Sequence, residues 1–151
     1  MPITIRPATE ADQPTIRRII LEARINRMSL NWPNFVVAKD DDWEDGAIVG
    51  VGQVKPHRDG SRELASIAVI PARQGLGIGS AIIETLLARE PGVVLYLTCR
   101  AQLEHYYDRF GFHFLVPAEY PRYFKRMVPL VNTVMRLFQM RIVVMRREAA
   151  H

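Results

Sequence analysis

A glycine-rich stretch is the part of the sequence whose residue types and spacing most directly suggest chemistry. Gly75, Gly77 and Gly79 alternate with Leu76 and Ile78, between a strand-like run and a helix-like run. Glycine tolerates positive φ and lets the backbone approach a ligand closely. A turn that opens a helix also presents unpaired N–H groups and the positive end of the helix dipole, which together bind phosphate. The stretch therefore predicts a phosphate-containing ligand; the alternative is a tight strand–helix connection that binds nothing.

One class of phosphate ligand, the nicotinamide dinucleotides, fits this stretch poorly. The dinucleotide pattern GxGxxG has glycine or alanine at its sixth position, where this sequence has Ser80. The pattern also requires an acidic residue at the end of the next strand, but that strand ends at Thr98-Cys99-Arg100. Both departures disfavour a dinucleotide.

Apolar periodicity predicts the elements that position this turn. Alternating and β-branched runs predict strands, and apolar residues at helical spacing predict helices. The predicted strands are 3–6, 35–39, 47–54, 63–70, 93–98, 112–116 and 142–145, and the predicted helices are about 10–27, 77–89, 101–110 and 129–139. Pro117, Pro121 and Pro129 are expected to break up the segment before the last helix. This order predicts one mixed α/β domain over residues 1–151, with no evident linker.

Several segments, taken together, resemble the GCN5-related N-acetyltransferase (GNAT) family. Gln74, Gly77 and Gly79 match its Q/R-x-x-G-x-G/A pattern, and three further segments agree in order and spacing. These are Ile3–Thr9 with Asp12, Glu63-Leu64 ahead of Val69, and Tyr107-Asp108-Arg109-Phe110-Gly111-Phe112. The resemblance is dense from about 62 to 112 and looser elsewhere. It implies an α/β fold with a mixed central sheet of about seven strands flanked by helices, splayed between strands 4 and 5.

The resemblance implies an acetyl-CoA-dependent N-acetyltransferase. A primary amine would attack the thioester directly in a ternary complex, a reaction that requires no metal. Backbone amides of the glycine-rich stretch would hold the CoA pyrophosphate, and the pantetheine arm would enter the splayed gap as a pseudo-strand. The residues implied to contact acetyl-CoA are Ile67, Ala68, Val69, Arg73, Gln74, Gly75, Leu76, Gly77, Ile78, Gly79, Ser80 and Arg100.

Two side chains are implied to move protons. Tyr107 matches the tyrosine with which many members protonate the departing thiolate, and Glu63 matches the general base of some members. The alternatives are a core aromatic for Tyr107 and a surface or hydrogen-bonded strand carboxylate for Glu63. Arg100 departs from the family, which often has asparagine there. Because arginine cannot accept a hydrogen bond, Arg100 would bind phosphate or the acceptor instead.

The composition is that of a globular domain, and its charge lies away from the glycine-rich stretch. The 151 residues carry a net charge of +4, and residues 121–151 alone carry seven basic side chains and one acidic side chain. The favoured interpretation of this basic segment is a helical insert at about 118–140 that covers the acceptor side. Alternatives are a lid over an anionic substrate, a contact with CoA phosphates, or a surface for membrane or nucleic acid.

Other features narrow the expected partners and location. Cys99 is the one cysteine, best interpreted as a buried inert thiol rather than a group beside pantetheine, and the four histidines (His57, His105, His113, His151) lack metal-site spacing. The acidic run 40–45 is interpreted as a solvated hairpin tip rather than as a surface that attracts a cationic amine. The first residues lack an apolar run of signal-peptide length, and polar residues interrupt the apolar run 127–145, so a cytoplasmic protein without a transmembrane segment is expected.

The expected partner is a small-molecule or peptide amine acceptor, with no strong nucleic-acid signal and a possible homodimer. Two competing functions stay open at this level. One is an acyl-CoA-binding module without catalysis on the same fold. The other is a nucleic-acid or membrane-surface binder that uses the basic C-terminal segment.

Overall fold

The computed structural model describes residues 3–150, and the predicted strands and helices occur in the expected order. The strands are β1 (Ile3–Pro7), β2 (Phe35–Asp40), β3 (Ile48–Pro56), β4 (Arg62–Val69), β5 (Leu95–Arg100), β6 (His113–Phe114) and β7 (Ile142–Arg147). The helices are α1 (Gln13–Ala23), α2 (Ile78–Arg89), α3 (Glu104–Asp108) and α4 (Arg122–Met135).

The strands form one mixed sheet of seven strands in the order β1-β2-β3-β4-β5-β7-β6. β1 pairs with β2, and β2 with β3, in antiparallel register. β4 and β5 are parallel, with Glu63 opposite Tyr96, whereas β7 runs antiparallel to both β5 and β6. The predicted fold class, a mixed sheet of about seven strands flanked by helices, is confirmed.

The chain divides into two compact units, of which the first contains residues up to 55 and residues 64–90. In this unit α1 buries Ile16, Ile19 and Ile20, whose i, i+3, i+4 spacing puts them on one face of the helix. α2 packs closely on β3 because Gly52 has no side chain: a Cβ there would lie 2.6 Å from Ile82 Cγ2. This close packing fixes the helix whose N-terminus carries the glycine-rich stretch.

The second unit contains residues 56–63 and the chain from residue 91 onward. Its core joins α4 to β7 and to the segment before α4, through Phe124, Val128, Leu115, Tyr120 and Val144. Phe124 and Val128 are four residues apart, so they lie on one face of α4. This packing holds the first turn of α4 in a fixed position.

Several predicted boundaries were wrong, and α4 is the largest case. It begins at Arg122 rather than Pro129, with Pro129 inside it. Pro129 is exposed, so the one backbone hydrogen bond that it removes lies on the outer side of the helix, where bending is tolerated.

The other helices are shorter than predicted. α1 ends at Ala23 because Arg24 adopts the left-handed conformation, with φ 57°. Residues 101–103 form a 3₁₀ turn ahead of α3. The single domain over 1–151 with a basic helical insert at about 118–140 stays a prediction, and positions 1, 2 and 151 lie outside the described residues.

Candidate functional site

The glycine-rich stretch folds as an open turn between β4 and α2. Gly75 and Gly77 have φ values of +78° and +82°, a conformation that L side chains rarely adopt. A Cβ placed on either glycine would meet nothing within 4 Å. The backbone conformation therefore requires glycine at both positions, and the space above the turn is open to a ligand.

The N-terminus of α2 carries no side-chain cap. Gly77 is its N-cap residue, no side chain caps the helix, and no acidic residue lies in the first turn. The N–H of Ala81 donates to the C=O of Gly77 at 3.0 Å, so the N–H groups before it have no intrahelical acceptor. The Ile78 side chain is buried, whereas Leu76 is exposed. The turn can therefore offer backbone donors and a partial positive charge to an anion.

The side chains of Arg73 and Gln74 hold the turn rather than extend from it. Gln74 Nε2 donates to the C=O of Val69 at 2.9 Å, which ties the turn to the end of β4. Arg73 forms an ion pair with Asp40, which is fully buried, and its guanidinium lies 5.4 Å from the centre of the Trp43 ring. Asp40, the first residue of the acidic run, is thus an anchor of the turn and not part of a solvated tip.

Replacing Arg73 with glutamine is expected to lower the free energy of unfolding by about 2–3 kcal/mol, because it leaves the buried Asp40 carboxylate without its cation. Urea denaturation measures the loss. Arg18→Gln is the matched control, since Arg18 and Glu22 form an ion pair with both side chains more than half exposed, and its effect should stay within about 0.5 kcal/mol. Equal losses for the two variants would contradict the anchoring role of Arg73.

Strand β4 carries a strained residue just before the predicted pantetheine contacts. Ser66 has φ 58°, which is uncommon for a residue with a side chain and is unexpected inside a strand. The fully buried Gln53 holds it, since Gln53 Nε2 donates to Ser66 Oγ at 2.8 Å. A left-handed residue redirects the backbone that follows it, here Ile67, Ala68 and Val69. Strain of this kind persists where the surroundings determine it, which is common at ligand-binding positions.

Tyr107 lies on α3 in a largely apolar setting. Its ring centre is 5.0 Å from that of Tyr106 and 6.4 Å from that of Phe112, both in edge-on geometry. Burial raises the pKa of Tyr107 to about 12, with smaller contributions from Cys99 and Tyr106. The phenol therefore carries its proton at any physiological pH, as a proton donor must.

Cys99 and Arg100 end β5 in different environments. Burial raises the pKa of the Cys99 thiol to about 11, and its Sγ lies 3.9 Å from Met145 Sδ. A protonated, buried thiol is a poor nucleophile, which supports its interpretation as inert. Arg100 is exposed, with its Nη1 3.8 Å from Met140 Sδ, so its charge faces solvent.

Glu63 is buried and hydrogen-bonded, in a cluster that the sequence did not predict. The Nε2–H of His57 donates to Glu63 Oε1 at 2.7 Å, and both side chains are at least nine-tenths buried. The imidazole stacks on the Tyr123 ring, with 3.6 Å between ring centres, and Phe124 meets it edge-on. One carboxylate oxygen of Glu63 is thus held by His57, which orients the second one.

Asp59 connects the hairpin turn to α4. It accepts hydrogen bonds from the hydroxyl and backbone N–H of Ser61 and, at 2.8 Å, from the backbone N–H of Tyr123. Burial acts to raise the pKa of Asp59, but these hydrogen bonds outweigh it and lower the pKa. The sequence contained a signal that His57 lies near Glu63, because a turn at Pro56–Gly60 brings together the two segments on either side of it. It contained none for Tyr123, which is distant in the chain.

The rest of the described chain adds neither a metal centre nor a membrane span. Within residues 3–150 no cluster of three or more His, Cys, Asp or Glu side chains could hold a metal ion. His151 lies outside that range. None of the described helices combines the length and apolar character that crossing a bilayer needs.

Comparison with known proteins relates the chain to acetyltransferases. The family model described as Acetyltransferase (GNAT) domain matches residues 31–114, more than half of the chain. A comparison with curated protein sequences finds no match.

Solved structures share the fold at low sequence identity. Rv2747 from Mycobacterium tuberculosis, solved with CoA and a second ligand, is 21% identical with a TM-score of 0.71, over 96% of this chain and 98% of that one. Ard1 from Thermoplasma volcanium is 17% identical with a TM-score of 0.68, over all of both chains. N-acetylglutamate synthase from Neisseria gonorrhoeae, solved with CoA and N-acetyl-glutamate, is 21% identical with a TM-score of 0.69, over 99% of this chain. This chain spans 35% of the length of that synthase.

Proposed function

Because the chain belongs to the GNAT acetyltransferase family, we propose that it transfers an acetyl group from acetyl-CoA to the nitrogen of a primary amine. The observation that carries this proposal is the open turn at Gly75 and Gly77 on the uncapped N-terminus of α2, because it supplies anion-binding backbone donors directly after β4. Release of free CoA thiol with a panel of amines, among them amino acids, polyamines and a peptide N-terminus, tests it.

In the proposed complex the chain binds acetyl-CoA mainly through its backbone. The N–H groups from Gly75 to Ser80 would hold the pyrophosphate, while Arg73 and Gln74 keep the turn in shape. Backbone groups of Ile67, Ala68 and Val69 would pair with pantetheine and polarise the thioester carbonyl, since fixed donors favour negative charge developing on oxygen. The redirected backbone after Ser66 supports this assignment.

Changing Gly77 to alanine is expected to raise the Kd for CoA about tenfold, because a side chain at φ +82° costs roughly 1–2 kcal/mol and shifts the turn. Isothermal titration calorimetry with CoA measures the change. Gly60→Ala is the matched control, since Gly60 has φ +88° and equally open surroundings but lies in the hairpin between β3 and β4. Unchanged affinity in Gly77→Ala would refute phosphate binding at this turn.

The two proton transfers are assigned to Glu63 and Tyr107. Glu63 would take one proton from the acceptor ammonium, so that the neutral amine attacks the thioester carbon. As the C–S bond breaks, Tyr107 would give its proton to the CoA sulfur, and the proton released by the attacking nitrogen would restore the phenol. The half-buried phenol, which keeps its proton, and the oriented carboxylate support these roles.

The acceptor is proposed only as a primary amine, small or peptidic. Arg100 carries an exposed charge at the end of β5, which supports a contact with phosphate or with an acidic acceptor.

Two competing functions predict different results. A module that binds acyl-CoA without turnover would bind CoA tightly and release no thiol with any amine. A nucleic-acid or membrane-surface binder would bind its polyanion in a strongly salt-dependent manner, and Gly77→Ala would leave that binding intact. The cytoplasmic location and the homodimer stay predictions.

A further inference from the structure

One flank of α4 borders a cleft of about 330 Å³ that has no role in the proposed acetyl transfer. The cleft lies within the second unit, among α4, the turn at 117–120 and the first residues of β7. Its volume is at the lower end of the range typical of small-molecule sites. Apolar side chains form part of the wall, including Val128 and Ile142.

Three cations line this cleft, and the described part of the chain provides no carboxylate partner for them. They are Lys125, Arg136 and Arg141, and none of the described lining residues is acidic. Within residues 3–150 no ion pair involves any of the three, whereas Arg6 and Arg146, for example, have carboxylate partners. Cations that converge on one concave surface attract a counter-ion from solution.

The wall between these cations is held in place. Asn132 accepts a hydrogen bond from the backbone N–H of Ile142 at 2.8 Å and donates one to its C=O at 3.2 Å. This pair fastens α4 to the start of β7. Arg136 directly follows α4 and Arg141 directly precedes β7, so each lies next to one of the two fastened elements. The backbone part of the cleft is therefore formed before any ligand binds.

Helix geometry separates the cleft from the cluster of Glu63, His57 and Tyr123. Lys125 and Asn132 are seven residues apart on one flank of α4, and Arg136 directly follows the last residue of the helix. Tyr123, which stacks on His57, points to the other flank of the same helix, because it is two residues from Lys125. A ligand in the cleft would not occupy the position beside Glu63.

We propose that this cleft binds a small organic anion, a carboxylate or phosphate monoester with a short apolar body. The anionic group would lie among Lys125, Arg136 and Arg141, and the apolar body would lie against Val128 and Ile142. Arginine suits such a group because its planar donors bind carboxylate and phosphate in pairs. The ligand is a free anion in solution rather than a phosphate of the acetyl donor.

The test is titration of the full chain with sodium hexanoate, followed by amide NMR, with uncharged hexanol as the comparison. Saturable hexanoate binding is expected, with shifts at residues lining the cleft and none for hexanol. Arg141→Gln should weaken binding about tenfold through the loss of a charge-assisted contact. Arg126→Gln is the matched control, since Arg126 is an exposed arginine on α4 outside the cleft, and it should change binding less than about twofold.

Repeating the titration at a saturating concentration of CoA distinguishes a cleft that binds a free anion from a cleft that binds a phosphate of CoA. Unchanged hexanoate affinity in the presence of CoA would support an independent site. Displacement of hexanoate by CoA would overturn the proposal, because the cleft would then belong to the donor. Binding that does not saturate, equal binding of hexanol, or equal losses in Arg126→Gln and Arg141→Gln would also overturn it. None of these outcomes depends on acetyl transfer, so a chain without turnover can still bind hexanoate.

Discussion

Replacing Tyr107 with phenylalanine is expected to lower kcat for acetyl transfer about a hundredfold while leaving the Kd for acetyl-CoA nearly unchanged. The variant keeps the aromatic ring and its edge-on contacts with Tyr106 and Phe112, so it removes only the hydroxyl. Without that proton donor the CoA sulfur must depart as a thiolate. Steady-state kinetics with the best acceptor of the amine panel, together with calorimetry of acetyl-CoA binding, measure both quantities.

Tyr106→Phe is the matched control, since it makes the same chemical change at the neighbouring position and should keep kcat within about twofold.

The pH dependence of kcat provides a second check on Tyr107. Burial raises the pKa of Tyr107 to about 12, so the proton-donating form persists below that value. The ratio of wild-type to Tyr107→Phe kcat should therefore stay constant from about pH 7 to about pH 10. A ratio that falls within that range, or equal activity of the two proteins, would contradict the assignment of Tyr107 as the acid.

Replacing Glu63 with glutamine is expected to lower kcat at neutral pH about a hundredfold, because the acceptor ammonium then loses its base. The glutamine carbonyl can still accept the hydrogen bond from His57, so the buried cluster keeps its packing. The defect should shrink as the pH rises toward the pKa of the acceptor, since more of the amine is then already neutral. Kinetics across pH with an amine of known pKa measure this recovery.

Substitution of His57 tests whether the orientation of the Glu63 carboxylate contributes to kcat. His57→Phe keeps a ring to stack on Tyr123 but removes the N–H that holds the carboxylate. It should lower kcat about tenfold, and the double variant with Glu63→Gln should be no worse than Glu63→Gln alone. Glu84→Gln, an exposed change on α2, is the control and should be neutral. Additive losses in the double variant would show that His57 acts independently of Glu63.

The sequence predicted the part of the site that depends on local structure. Gly75 and Gly77 were identified from their spacing, and their positive φ values agree with the reason given for them. Strand and helix types followed from apolar periodicity, which is a local property. The start of α4 was missed because a proline normally ends a helix, whereas Pro129 sits on an exposed face where its missing N–H is tolerated.

Contacts between residues distant in the chain could not be predicted from the sequence. The cofactor contact of Arg73 stays a prediction, and the sequence did not indicate that its side chain pairs with Asp40, a residue of the run interpreted as a solvated hairpin tip. His57 and Glu63 are close in sequence, whereas Tyr123, which stacks on His57, is distant from both. Charge and residue type show that a group can pair, and only the fold determines which partner it meets.

The most direct test of the proposed function is mass-spectrometric detection of the acetylated amine, together with the stoichiometry of CoA release. With wild-type protein and deuterated acetyl-CoA, one amine of the panel should gain one labelled acetyl group for each thiol released. Gly77→Ala should need more acetyl-CoA to reach the same rate, and Tyr107→Phe should be slower at saturation. Tight CoA binding without labelled product from any amine would contradict an N-acetyltransferase and indicate a binding module without catalysis.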